Sequence, residues 1–197
     1  MENNIQENAK LFEDLVKFNV QRKGISNLMN YLKNDTDFMY APASTKYHGA
    51  FDGGLLTHSL EVYYQFVKLA NIYNFDMSKP ENTESATIVT LFHDVCKINT
   101  YEQSVKYNKN TKTNQWESQP CYTYSVDKKV FGAHGAESLF IISQFMTLTE
   151  QEAIAIYHHM GSWDSSKYDN VALAYEKNRI AWLLHVADEA ATYIAGI

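Results

Sequence analysis

Apolar residues recur along most of this chain at the 3.6-residue spacing of an amphipathic helix. Residues 3–22 place Ile5, Phe12, Leu15, Val16 and Val20 along one stripe, and Lys23-Gly24 supplies a stop. Ser26 can cap a second short helix carrying Leu28, Met29, Tyr31 and Leu32. Residues 35–54 lose the period and hold Pro42, Gly49, Gly53 and Gly54, which predicts an ordered loop. A long helix follows from Leu55, with Ser59, Val62, Phe66, Val67 and Ala70 in step, and fades near Asn74. Lys79-Pro80 breaks the chain, and a further helix from about Glu84 runs into the doublet His93-Asp94.

The period then changes. Residues 101–107 and 116–124 are rich in Tyr, Val, Thr and Trp and flank a polar stretch from Asn108 to Thr111, which predicts a β-hairpin between helices. Helical spacing resumes at about His134. Thr149 with Glu152 has the form of a capping box, opening a helix that ends at His158-His159. A last helix covers roughly residues 177–194. There is no internal repeat and no low-complexity tract. The pattern predicts one mainly α-helical domain over 1–197: N-terminal helices (1–33), an ordered loop (34–54), and a helical core (55–195) with a hairpin inserted at about 101–124.

Composition narrows the partners. Apolar residues make up 45% and charged residues 20% of 197 residues, and the formal net charge is -6, which argues against long nucleic acid or an anionic membrane as the main partner. Lys106, Lys109 and Lys112, with Lys128 and Lys129 further on, form a small basic group that a solvated loop also explains. Cys96 and Cys121 do not suggest a disulfide framework, the start of the chain lacks a signal-peptide pattern, and no apolar run is long enough to span a bilayer. A reducing, cytoplasmic setting is expected.

The chemistry gathers around Leu91-Phe92-His93-Asp94-Val95-Cys96-Lys97. Two titratable side chains behind an apolar run need compensation, and a divalent metal ion supplies it. An isolated His-Asp pair is more often only a helix-end cap. Six of the seven histidines, however, lie at helix ends or beside acids: His58, His93, His134, His158, His159 and His185. Asp188 interrupts the apolar stretch from Ile180 to Ala187, where a carboxylate is costly unless it is paired or metal-bound. A helical bundle can bring such positions to one site.

The order His58, then His93-Asp94, then Asp188 resembles the HD-domain superfamily of metal-dependent phosphohydrolases. The segment from Ala41-Pro42 through His48-Gly49 and Gly53-Gly54-Leu55-Leu56-Thr57-His58 is similar to the approach to the first ligand in bacterial 3′-5′ exoribonucleases of the YhaM type. With Gly132-Ala133-His134-Gly135 and His159-Met160-Gly161, it is more similar still to small HD hydrolases of Firmicutes and their phages. The resemblance covers roughly residues 24–195 and implies an HD-domain helical bundle. It implies that His58, His93, Asp94 and Asp188 hold a first metal ion. It also implies that His134, His158 and His159 add to a second site, with Asp94 bridging. The donor set suits one or two ions of Mn, Fe, Co, Ni or Zn better than Mg²⁺ or Ca²⁺.

The resemblance further implies a metal-dependent phosphomonoesterase or phosphodiesterase acting on a nucleotide or small nucleotide-like phosphoester through metal-activated water. The catalytic candidates are Asp94, Lys97 and His134. Lys97, Lys46, His48 and Trp163 are candidates for binding substrate, although a surface role for the lysines and packing for the tryptophan are open alternatives. His185 could orient a ligand from behind. Two other functions stay in view: a 3′-5′ exonuclease on single-stranded RNA or DNA, and a non-catalytic nucleotide sensor. Base, phosphate number and oligomeric state are not encoded in these motifs.

Overall fold

The predicted helices form where their apolar stripes can be buried. The computed structural model describes residues 4–128 and 132–197; Asn3 of the predicted first helix and Lys129 of the basic group lie outside the described residues. Helix α1 (Ile5–Asn19) is capped by the Asn4 side chain, which accepts the Glu7 N–H, and it buries Phe12 and Val16. After α2 (Ile25–Asn34) the loop through residue 53 leads into α3 (Gly54–Ile72). Helix α4 (Pro80–Phe92) is buried continuously from Ala86 to Phe92. It starts four residues before the position expected from periodicity, because Pro80 fits the first turn, where an amide N–H has no acceptor to lose.

A short 3₁₀ turn (Val95–Lys97) leads to strands β1 (Tyr101–Lys109) and β2 (Trp116–Tyr124), an antiparallel pair in which Tyr101 faces Tyr124 and Lys109 faces Trp116. Four more helices follow: α5 (His134–Ser143), α6 (Glu150–Tyr157), α7 (Val171–Lys177) and α8 (Arg179–Ala190), the last continuing into a π turn (Ala191–Ala195). The capping box at Thr149 and Glu152 is formed in both directions. Helix α7 was absent from the periodicity because none of its residues is buried, so it carries no apolar stripe. The fold is mainly α with a small hairpin, as the pattern predicts.

Helix α3 packs against both α4 and α8, α6 packs against α5 and α8, and α1 lies across α3 and α4. Phe12 meets Phe38 and Phe92 with ring centroids 5.2 and 5.7 Å apart. Arg22, in the turn after α1, reaches across to α6 and takes both oxygens of the fully buried Glu152 at 2.9 Å, with Glu84 of α4 at 3.2 Å. This clasp ties the N-terminal helices to the two helices whose ends carry histidines. Among the described residues no helix is long and apolar enough to cross a membrane.

Candidate metal centre

Five polar side chains from four helices and their ends converge where α3, α4, α6 and α8 meet. His58 lies in the second turn of α3 and is fully buried. Its position depends on the preceding loop folding tightly back. A Cβ on Gly54 would sit 1.9 Å from the Gly49 carbonyl oxygen, so only glycine permits that approach. His93 is the C-cap of α4, Asp94 follows it, and His159 lies just beyond the end of α6. Asp188 comes from α8.

Each histidine is aimed by its far nitrogen. The Nδ1 atoms of His93, His159 and His58 lie 2.8, 2.7 and 2.9 Å from the main-chain oxygens of Thr90, Ile156 and Ile197. A main-chain oxygen only accepts, so each Nδ1 carries the proton and each Nε2 presents a lone pair to the centre. There the three Nε2 atoms and Asp94 Oδ1 are buried and make no hydrogen bond. His58 Nε2 is 3.1 Å from Asp188 Oδ1 and 3.6 Å from Asp94 Oδ2. His93 Nε2 and His159 Nε2 are each 3.5 Å from an Asp94 oxygen. Buried polar atoms are almost always satisfied, and four acceptors facing one another call for a cation between them.

The donor atoms fall into two overlapping groups: His58, His93 and Asp188, and His93, Asp94 and His159, each with its atoms within 4.8 Å of one another. Three imidazoles and two carboxylates fit a divalent first-row transition metal, with His93 common to the two groups. The electrostatics agree with that fit. Burial by itself would raise the Asp94 carboxyl, but the Lys97 ammonium beside it holds it well below the usual range. Asp188 is likewise held low against its burial when a proton or cation lies between it and His58. Burial lowers His93 to about 4, keeping it a neutral donor. His159 is raised, because the attraction of Asp94 overcomes burial; the field that draws a proton there also draws a metal ion. The Lys97 ammonium sits 2.6 Å from Asp94 Oδ2 and is raised by that carboxylate despite burial, so it is a permanent cation.

The centre opens into a cavity of about 310 Å³ whose walls include His48, Lys97, Tyr101, Tyr124, His134 and Trp163. His48 stands 5.1 Å from the His58 ring and is lowered to about 4 by burial and then by the nearby His58 and Lys97. The structure does not bring every expected ligand to the cluster. His134, the first residue of α5, has a half-exposed side chain on the cavity wall, 3.9 Å from Asp164 and outside both donor groups. His158 packs its ring on Tyr157 and is also outside them. The backbone leaves the helix at His158, and of the two consecutive histidines it is His159 that points inward. Lys46 is exposed over the Tyr47 ring and faces a neighbouring groove rather than the cavity. Trp163 stands at the rim, 81% exposed.

His185 donates its Nδ1 proton to the His159 carbonyl at 2.7 Å, and its ring stacks on Tyr175, whose hydroxyl donates to the His158 carbonyl at 2.8 Å. These two side chains fix the turn that carries His159. Tyr124, Glu189, Thr192 and Tyr193 also line the cavity without having been singled out from the sequence. Thr192, four residues after Asp188 on the same face, had a usable signal; Tyr124 had one only through the hairpin register.

An α-helical scaffold that turns imidazoles and carboxylates onto one buried point has the build of a metal-dependent hydrolase. The chain belongs to the HD domain family: residues 55–192, well over half of it, match the family's HD domain model. That family is one of metal-dependent hydrolases whose domains bind divalent metals. Neither the curated proteins nor the solved structures contain a match to this chain.

Proposed function

We propose that this protein is a metal-dependent phosphohydrolase that cleaves a P–O bond of a nucleotide or nucleotide-like phosphoester. The observation that carries this reading is the set of four buried, partnerless acceptors (His58, His93 and His159 Nε2, Asp94 Oδ1) beside a permanently charged lysine on a cavity wall. A metal held by His58, His93, Asp94, His159 and Asp188 would supply Lewis acidity and lower the pKa of a water. Lys97 offers a fixed positive charge to a non-bridging phosphoryl oxygen, which it binds more strongly as charge builds up there. His134, whose ring faces the cavity and whose backbone N–H is fixed by Asp164, is placed to give a proton to the departing oxygen. The rings of Tyr101, Tyr124 and Trp163 offer surfaces for a base. Membership of the HD domain family supports the same reading.

The test is elemental analysis of the purified protein, then phosphate release from a nucleotide panel with the metal found. Asp94→Ala should lose both metal and activity, and retention of either refutes the scheme. Tight nucleotide binding with no turnover under Mn, Fe, Co, Ni or Zn would make the protein a sensor instead.

A further inference from the structure

The hairpin has two unlike faces. Residues directly opposite in an antiparallel pair share a face, so one face carries the rungs Tyr101–Tyr124, Gln103–Tyr122 and Val105–Pro120, then Tyr107, then Lys109 opposite Trp116. Glu102, Glu117 and Lys106 fall on the other face. The aromatic face is left open to water: Val105, Tyr107 and Trp116 are 52%, 66% and 69% exposed. A lone two-stranded sheet is marginal in water, and an apolar face kept open on one marks a binding surface.

This face runs out of the metal cavity. Its first rung, with rings 5.3 Å apart, lines the cavity. The second and third rungs line a groove of about 810 Å³, whose opposite wall is the loop from Thr45 to Asp52. Ser44, adjoining Thr45, lines the cavity, so cavity and groove share both walls. Successive rungs on one face are ~6.8 Å apart, room for one base over each. Lys46 is the cation on the groove's loop wall and Lys109 lies further along the aromatic face, while Lys106 edges the groove from the opposite face of the hairpin. Its acid, Asp52, is engaged by the Tyr122 hydroxyl at 2.5 Å and the Gln103 amide at 3.3 Å.

We infer that the substrate extends beyond one nucleotide: the groove and the aromatic face of the hairpin hold the single-stranded nucleic-acid chain adjoining the phosphodiester at the metal centre. The inference rests on the hydrolase reading above. Aromatic faces stack on unpaired bases of any sequence, and spaced lysines neutralise the phosphates between them. An aromatic track flanked by Lys46 and Lys109, in a chain of net charge -6, is complementary to such a strand. Pairing of this hairpin with that of a second copy is opposed by Pro120, which withholds an N–H from the sheet edge.

The full chain, loaded with Mn²⁺, is given single-stranded oligonucleotides of one to ten residues and, in parallel, bis(p-nitrophenyl) phosphate, which is too short to reach the groove. The expected result is a kcat/KM that climbs with length over the first few nucleotides. The double variant Tyr107→Ala/Trp116→Ala, both exposed positions, should lose about 5- to 150-fold per stacked base on oligonucleotides and nothing on the aryl ester. Lys46→Ala should flatten the salt dependence for oligonucleotides alone. Hydrolysis of the aryl ester and mononucleotides with no length dependence overturns the inference and leaves the hydrolase reading standing. If no phosphoester is cleaved with any metal, the hydrolase reading fails. Fluorescence anisotropy with a labelled hexanucleotide then decides separately, since equal affinity of wild type and double variant overturns the inference without turnover. A change from dimer to monomer in the double variant at unchanged oligonucleotide affinity would assign the face to a second copy and overturn it too.

Discussion

Asp188→Asn offers the sharpest test of the metal centre, because it changes the charge at one point and scarcely changes shape. Asp188 Oδ1 and His58 Nε2 are 3.1 Å apart and are both acceptors, so a proton or a cation must lie between them. An asparagine amide turns its N–H toward the same nitrogen and occupies that lone pair for good. The variant should therefore fold about as well as the chelated wild type, within ~1 kcal/mol, while binding the cation more weakly. For wild type, metal at 1,000 times its Kd adds about 4 kcal/mol of stability. In a chain of this length each kcal/mol moves the Tm by about 2–4 °C. Thermal unfolding followed by circular dichroism, with EDTA and then with excess Mn²⁺, should thus show a shift of roughly 8–16 °C for wild type and a clearly smaller one for Asp188→Asn. A full shift in the variant, or none in wild type with any of the five metals, would refute a cation held between these two side chains.

Glu152→Ala should cost about 1.5–3 kcal/mol, since it takes the bidentate partner from Arg22, which keeps Glu84 and the Thr147 carbonyl, and removes half of a capping box. Urea unfolding should show a lower midpoint, while the metal-dependent shift remains. The Glu152 carboxyl is held below its usual value: burial opposes this, and the hydrogen bonds from Arg22 and the Thr149 N–H outweigh it. Its stabilisation is therefore complete above about pH 4.5 and lost as pH falls through the lower folded-state value. Urea midpoints of chelated wild type should drop over that window more steeply than those of Glu152→Gln. Gly161→Ala places a Cβ 2.8 Å from His185 Cε1 at a residue with φ of +58°, so His185 must release the His159 carbonyl. The expected loss is about 1–2 kcal/mol of stability together with weaker metal binding, read by isothermal titration calorimetry. Lys97→Met should lower kcat about 10²–10³-fold with metal content unchanged; loss of the metal would give Lys97 a purely structural role.

What the sequence disclosed followed from periodicity and local chemistry. The loop with its paired glycines, the helix entering His93-Asp94 and the capping box at Thr149 each depend on neighbours in the chain, and each stands where the residues said. Choosing between His158 and His159 needed the angle at which the chain leaves α6, a matter of one backbone φ that no pattern of residue types records. No residue of helix α7 is fully buried, so it left no stripe to find. Lys46 lies two residues from His48 in the chain but on the other side of the loop, where it faces the groove instead of the cavity. Asp188 was legible for the opposite reason: a carboxylate in the midst of an apolar helix is conspicuous before any contact is known.

The hydrogen bonds from His93 to Thr90 and from His159 to Ile156 each span only three residues. Both rings are thus aimed first by the closing turn of the helix that bears them, and His159 is held in addition from α8 through His185 on its carbonyl. Hairpins of other make-up could replace the present one without turning either imidazole away. A chain wired in this manner can exchange its substrate-facing parts while its donors keep their bearing.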